Sequence, residues 1–517
     1  MIRRLFWALA LAAAVAACNP EPDRGATALY ASGADLQSIN PLLTSHPLAR
    51  QVQRYMLLTT LARYDSTLEA RPYLAQTWSW SPDRRRLTFV LVTTVRWHDG
   101  VRTTASDVRW TLESARDPRV AYPRQAELAD LDSVTTPDDS TVILDFAVAQ
   151  SRFPDVLTDL AILPAHLLDS VPLEALRRAA WNQHPVGNGP FRFVRHDPNR
   201  RWVFAANPEF PSELGGPPRL DRIVLAVVDE PVTKLAALVA GELDFAGIQP
   251  AHVAYVRRDS ELDVLDYPLL FTYGLVFNTR HPPFDRLERR LAVSAALNRR
   301  ELVDGYVYGF GTPATGPMVA GTEQSAENQA ATGSSRREPA GGEGSRRGPL
   351  DADQRSKGTA KGISRPIPAA AARSSLQPGD SSSQPIPFEL LSVGSGDGIL
   401  EQMIQAQLSH AGFRVTLRQL ELSAFLDRLY GPSHDFDAAV LGIPGDVGLG
   451  YLRPLAALTG LTPPQDPAAV ARLFADSMPV AFLYHARGVQ GMNRRVHGVR
   501  MDIRGELVTV HDWWVSQ

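Results

Sequence analysis

The sequence predicts an α/β fold, and three features carry that prediction. The run Arg85–Leu91 alternates in the manner of a half-buried strand, and Thr141–Phe146 is another strand. The continuous apolar run Ile223–Val228 is followed by Pro231 at a helix start. Leu235, Leu238 and Val239 then form an apolar face, Gly241 ends the helix, and Leu243-Asp244-Phe245 is the next strand. Residues 399–411 repeat a helical period through Leu400, Ile404, Leu408 and Ala411, stop at Gly412, and pass into alternating Phe413, Val415 and Leu417. Strands that alternate with helices bury their apolar faces against one another.

Other elements follow in chain order. Val95-Arg96-Trp97 is expected to continue the strand 85–91, with His98-Asp99-Gly100 as a structural turn. Thr104-Ala105-Ser106-Asp107 reads as a capping box. Behind it Val108, Leu112 and Ala115 line one helix face that stops before Pro118. Gly187-Asn188-Gly189-Pro190 is a turn signal. Phe191–Val194 and Arg201–Ala205 then form a hairpin about His196–Asn199. Phe388–Leu391 and Asp437–Leu441 are further strands. Residues 320–387 hold no aromatic and few large aliphatic residues. They bury too little apolar area to offset the entropy of ordering, and disorder is expected there.

The chain has 517 residues, 44% hydrophobic and 21% charged, with a net charge of −3. This is ordinary for a globular protein of two or three domains. It provides no basic field for nucleic acid. Met1-Ile2-Arg3-Arg4, the apolar stretch Leu5–Ala17 and the single cysteine, Cys18, have the layout of a secretory signal, too short to span a bilayer. Val15-Ala16-Ala17-Cys18 resembles a bacterial lipoprotein box, which implies lipidation at Cys18 and a lipid-anchored protein of the periplasm or cell envelope. With Cys18 acylated no thiol remains for a disulfide or a metal cluster. No Gly-x-Ser-x-Gly elbow and no His-Glu-x-x-His occurs. Neither an enzyme nor a resident cofactor is expected. The His434–Asp437 run splits its side chains between two faces and is not expected to bind metal.

Several blocks occur in a fixed order: Leu61–Asp65 with Arg71–Trp78; Leu87–Phe89 with Val95–Gly100 and Ala105–Val108; Pro185–Phe191; Ala236–Leu238 with Gly241–Asp244; and Leu275–Thr279 with Pro283–Asp285. In this order they resemble the family 5 extracellular solute-binding proteins of ABC importers, the dipeptide-, oligopeptide- and nickel-binding group. The resemblance covers about 29–318 and 388–446. Thr93-Thr94 departs from it, standing where the family usually has charged residues.

The resemblance implies a two-lobed periplasmic-binding-protein hinge fold of type II with three domains and mixed sheets. Lobe I would comprise 19–46, 185–266 and 491–517, domain II would be an insertion at 47–184, and lobe III would run from 267 to 490 around the 320–387 insert. It implies a monomer that binds a peptide or similar small solute between its lobes and delivers it to ABC permease subunits. A nickel–chelator, opine or sugar ligand stays open, as does a degenerate envelope protein with a structural or signalling role. A buried ammonium needs a carboxylate partner. By the family's pattern, Asp446 after Asp437–Gly445 is that carboxylate. Phe271–Asn278 would line the site, with Tyr273 and Asn278 as side-chain candidates and backbone groups open to an extended ligand.

Overall fold

The computed structural model describes residues 25–36, 38–44, 46–317, 384–394, 398–445, 450–464 and 467–516. The chain forms two compact units. Unit 1 takes residues up to Leu269 and from Gly488 onward, and unit 2 runs from Leu270 to Arg487.

In unit 1, β1 (Thr27–Ser32) lies parallel to β10 (Arg222–Val227) and to β11 (Phe245–Gly247). Beyond β10, β9 (Arg201–Ala206) and β8 (Phe191–Asp197) form the expected antiparallel hairpin. The last residues of β17 (Val480–Asn493) pair with β11. A second sheet holds β4 (Ala75–Trp80), β5 (Arg86–Leu91), β7 (Thr141–Phe146) and β6 (Leu131–Thr135) in that order, and β2 (Ala62–Tyr64) with β3 (Ala70–Pro72) is a separate hairpin. One hydrophobic core serves these sheets and the helix Ala105–Arg116. That helix starts with the capping box between Thr104 and Asp107. Asp107 also accepts bonds from the Trp97 indole (3.2 Å) and the Ala165 amide (2.8 Å). Asp107 is thereby tied to the domain around it.

Unit 2 is a sheet in the order β15 (Phe413–Leu420), β14 (Ile386–Val393), β16 (Ala438–Pro444), β12 (Leu262–Phe277) and β17, with β13 (Gly311–Pro313) also on β17. Its faces carry two separate cores. Successive strand residues point to opposite faces. Leu275 and Phe277 thus enter one core with Ala438, Val440 and Tyr484, while Val276 enters the other with Ala439 and Phe482. Burial on both faces explains why 275–277 reads as a continuous apolar run.

Two expectations are corrected. Val95–Trp97 does not extend β5. The chain turns at Thr93–Thr94, and Val95–Trp97 instead pairs with Val101–Thr103 around His98-Asp99-Gly100. The strand after the helix Pro231–Val239 starts at Phe245; Asp244 lies just before it, its buried carboxylate accepting from the Leu29 amide (2.8 Å) and pairing with Arg495 (2.6 Å). Of the expected disordered stretch, 320–383 lies outside the described residues, while Ile386 and Pro387 belong to β14. Trp513 is fully buried and stacks on Phe245 at 4.6 Å; Trp514 stacks on His497 at 4.1 Å.

The Gly187–Pro190 turn is built on close approach. The Asn188 and Gly189 amides both donate to the Leu57 carbonyl, and the buried Asn188 side chain takes the Thr59 amide (2.9 Å) and donates to Thr103 (3.2 Å). A Cβ on Gly187 would overlap the Leu57 carbonyl oxygen, and one on Gly189 the Met56 carbonyl. Gly187→Ala is therefore expected to destabilise by about 1–3 kcal/mol or more. Gly33→Ala, whose Cβ meets only the Lys234 ammonium at 3.6 Å, is expected to change stability far less. Urea midpoints of the two variants check the difference.

Candidate functional site

Tyr273 projects from β12 on the face it shares with Leu275 and Phe277. Its ring stacks on Tyr484 (4.9 Å between centroids, planes 18° apart) and meets Phe271 edge-on at 5.6 Å. Tyr484 is buried, and Tyr306 lies 6.4 Å beyond it. Opposite Tyr273 in the β12–β16 ladder stands Gly442, where a Cβ would come 2.6 Å from the Phe271 ring. Glycine there lets the Phe271 ring lie across β16. The result is a partly exposed aromatic wall at the unit 2 end of β12. The Tyr273 hydroxyl has no hydrogen-bond partner among the described residues. Burial and the neighbouring Tyr306 and Glu401 raise its pKa, so it stays a neutral donor.

Asn278 is fully enclosed. Its amide donates to the carbonyls of His434 (2.8 Å) and Phe436 (3.0 Å) and lies 3.0 Å from His281 Nε2, while its oxygen accepts from the Arg280 amide (3.2 Å). These contacts commit Asn278 to tying the end of β12 to the loop before β16. Asp446 lies outside the described residues; its neighbour Gly445 donates its amide to the Leu270 carbonyl (2.8 Å), which carries the β12–β16 pairing one step past Pro444. Cys18 also lies outside the described residues. Among the described residues no group of three or more His, Cys, Asp or Glu is placed to hold a metal ion, and no helix is long and apolar enough to cross a membrane.

Two histidines are held neutral by their surroundings. In unit 1 the Gly187 amide donates to His98 Nδ1 (3.2 Å), so the proton sits on Nε2, which donates to the Gly189 carbonyl (3.0 Å). The His98 turn thus fastens the Gly187–Pro190 turn. In unit 2 His485 Nδ1 lies 2.9 Å from the Thr272 hydroxyl. Burial lowers both pKa values to about 4.

The sequence did not mark Tyr484 as the support of Tyr273, nor a cavity of unit 1 walled by Arg63, Tyr73 and the Thr93-Thr94 pair. Both depend on residues far apart in the chain.

The fold is shared with solved structures of low sequence identity. CtaP of Listeria monocytogenes superposes with a TM-score of 0.72 at 18% identity, over 95% of this chain and 100% of that one. AppA of Bacillus subtilis, solved with a nonapeptide, superposes at 0.68 and 20% identity over 95% and 99%. The family description "Bacterial extracellular solute-binding proteins, family 5 Middle" matches residues 69–451, and the chain belongs to that family. A Brucella ovis protein described as an ABC transporter peptide-binding protein is 32% identical over 262 residues. That match covers 50% of this chain and about half (49%) of the relative's length. Di/tripeptide-binding protein 4 of Pseudomonas aeruginosa is 28% identical over 477 residues, 87% of this chain and 81% of the relative.

The neutral histidines set a pH dependence. The unfolded chain binds protons at these positions as pH falls through about 6.5, and the folded chain only near 4. Their contribution is complete above pH 6.5 and is lost as pH falls toward 4, by up to about 3 kcal/mol per histidine. Urea midpoints from pH 7.5 to 4 are expected to fall, and less steeply in His98→Gln.

Proposed function

We propose that this chain is a receptor of the cell envelope, lipid-anchored through Cys18, that binds a peptide or similar small solute and hands it to the permease of an ABC importer. Its family membership over residues 69–451 is the observation that carries the proposal. The peptide-binding names of the Brucella and Pseudomonas relatives support peptide as the ligand class. The role is binding rather than catalysis, and the protein works as a monomer.

The binding residues are drawn from unit 2. Tyr273 supplies an aromatic face and an unpaired hydroxyl donor. Backbone groups at the end of the β12–β16 ladder meet an extended ligand as an added strand would. Asp446, directly after Gly445, takes the ligand's ammonium. Asn278 contributes by holding the end of β12 in place.

A thermal-shift screen of di- to pentapeptides, with nickel complexes and sugars alongside, tests this. A ligand at 100 Kd adds about 2.7 kcal/mol of stability. Peptide binding is expected to weaken about tenfold or more in Tyr273→Ala. In Asp446→Asn the loss is expected for free peptides but not for N-acetylated ones, which bring no ammonium. Failure of every peptide to stabilise the chain overturns the proposal.

A further inference from the structure

Unit 1 contains a cavity of about 700 Å³ that the peptide site does not use, lined by Arg63, Tyr73, Gln76, Thr93, Thr94 and Glu213 among others. Arg63 extends from β2 and lies flat on Tyr73, its guanidinium carbon 3.5 Å from the ring centroid. Of its five N–H groups, one has an acceptor among the described residues, the Arg54 carbonyl at 2.6 Å. The Arg63 Nε and the Tyr73 hydroxyl are both buried and without a partner.

Two other enclosed arginines, Arg290 and Arg299, spread their N–H groups over several acceptors. Arg290 gives its N–H groups to the carbonyls of Phe284, Ser477 and Met478. Arg299 gives its own to Ala314, Phe482 and Ser294. The cations nearest Arg63 are matched as well, Arg54 by Asp159 and Arg504 by Asp502 (2.5 Å). Arg63 has no carboxylate within ion-pair distance among the described residues, and burial together with the repulsion of Arg54 and Arg504 lowers its pKa. Arg63 is half-buried, with Tyr73 and Tyr55 rings beside it but no counter-ion among the described residues, and an incoming anion would supply one.

A carboxylate does stand on the same cavity wall. Glu213 is exposed, accepts from the hydroxyls of Thr94 (3.3 Å) and Ser212 (3.1 Å), and pairs with no arginine or lysine among the described residues. One cavity thus shows a cation and an anion that do not reach each other, with two threonine hydroxyls on the same wall.

We propose that this cavity is a second binding site for a small zwitterion of the amino-acid type. The ligand carboxylate sits on the free edge of the Arg63 guanidinium, its ammonium faces Glu213, and Thr93 and Thr94 bond the remaining polar atoms. Tyr73 holds the guanidinium in plane.

Calorimetric titration of the full chain with glycine at low ionic strength tests this, with acetate and methylammonium as half-ligands. Saturable glycine binding at least tenfold tighter than that of either half-ligand is expected. Arg63→Met, which keeps the apolar stem over Tyr73, is expected to lose it tenfold or more. Glu213→Gln changes only an exposed side chain, and it is expected to bring glycine down to the affinity of acetate. Peptide binding is expected to be unchanged in Glu213→Gln. Absence of saturable glycine binding overturns the proposal, as does acetate binding equal to glycine in the unmodified chain. So does glycine binding lost in Tyr273→Ala but kept in Glu213→Gln, which assigns it to unit 2 and leaves the peptide receptor standing.

Discussion

Two strands carry the chain across the boundary between its units, and the proposed ligand site depends on how they are held. β12 crosses at Leu269–Leu270 and β17 at Arg487–Gly488. On the unit 1 side the Tyr267 ring lies over Gly488, where any Cβ would collide with it. The Tyr267 hydroxyl donates to Glu506 (2.8 Å), which also takes the hydroxyl of Tyr30 from β1. The segment around Glu506 thereby clamps the crossing strand to β1. On the unit 2 side the same strand is paired with β16 from Phe271 to Phe277 and buried on both faces from Leu275 onward. On that side its accessible residues are Leu270, Phe271 and Tyr273.

This anchoring suits the proposed receptor role. Side chains that bind must be placed by groups that do not themselves move when ligand arrives. Tyr273 is placed by Tyr484 and by the glycine opposite it. The Asn278 amide is used up in fixing the strand end. Elsewhere charge is handled in a structural way. The buried Asp159 gathers Arg50, Arg54 and Arg124, which hold its carboxyl well below the usual range. Arg63, beside them, differs in having no carboxylate within ion-pair distance among the described residues.

Much of the fold was legible because it follows from local pattern. The capping box at Thr104–Asp107, the hairpin about His196–Asn199 and the strand–helix pair from Ile223 to Val239 each depend on neighbours in sequence. Where tertiary partners decide, the pattern misled. Asp244 stands just before β11, and its carboxylate is claimed by Arg495, 251 positions away. The Thr93–Thr94 turn cuts short a strand that alternation alone would extend through Trp97. The site was less legible than the fold. Tyr273 was readable as part of a strand with an aromatic end, but its stacking on Tyr484 spans two hundred residues (Tyr273 to Tyr484). Asn278 was readable as the end of a strand, but its carbonyl partners, His434 and Phe436, stand 156 and 158 positions away. Arg63 carried no signal, since its lack of a carboxylate is a property of the folded neighbourhood.

The most direct test of the central claim is amide hydrogen exchange of the chain with and without a saturating stabilising peptide. The account predicts slowed exchange concentrated at Phe271–Tyr273 and Gly442–Gly445, the free end of the β12–β16 pair. Protection confined to other segments, with these amides exchanging at the same rate in both states, contradicts it.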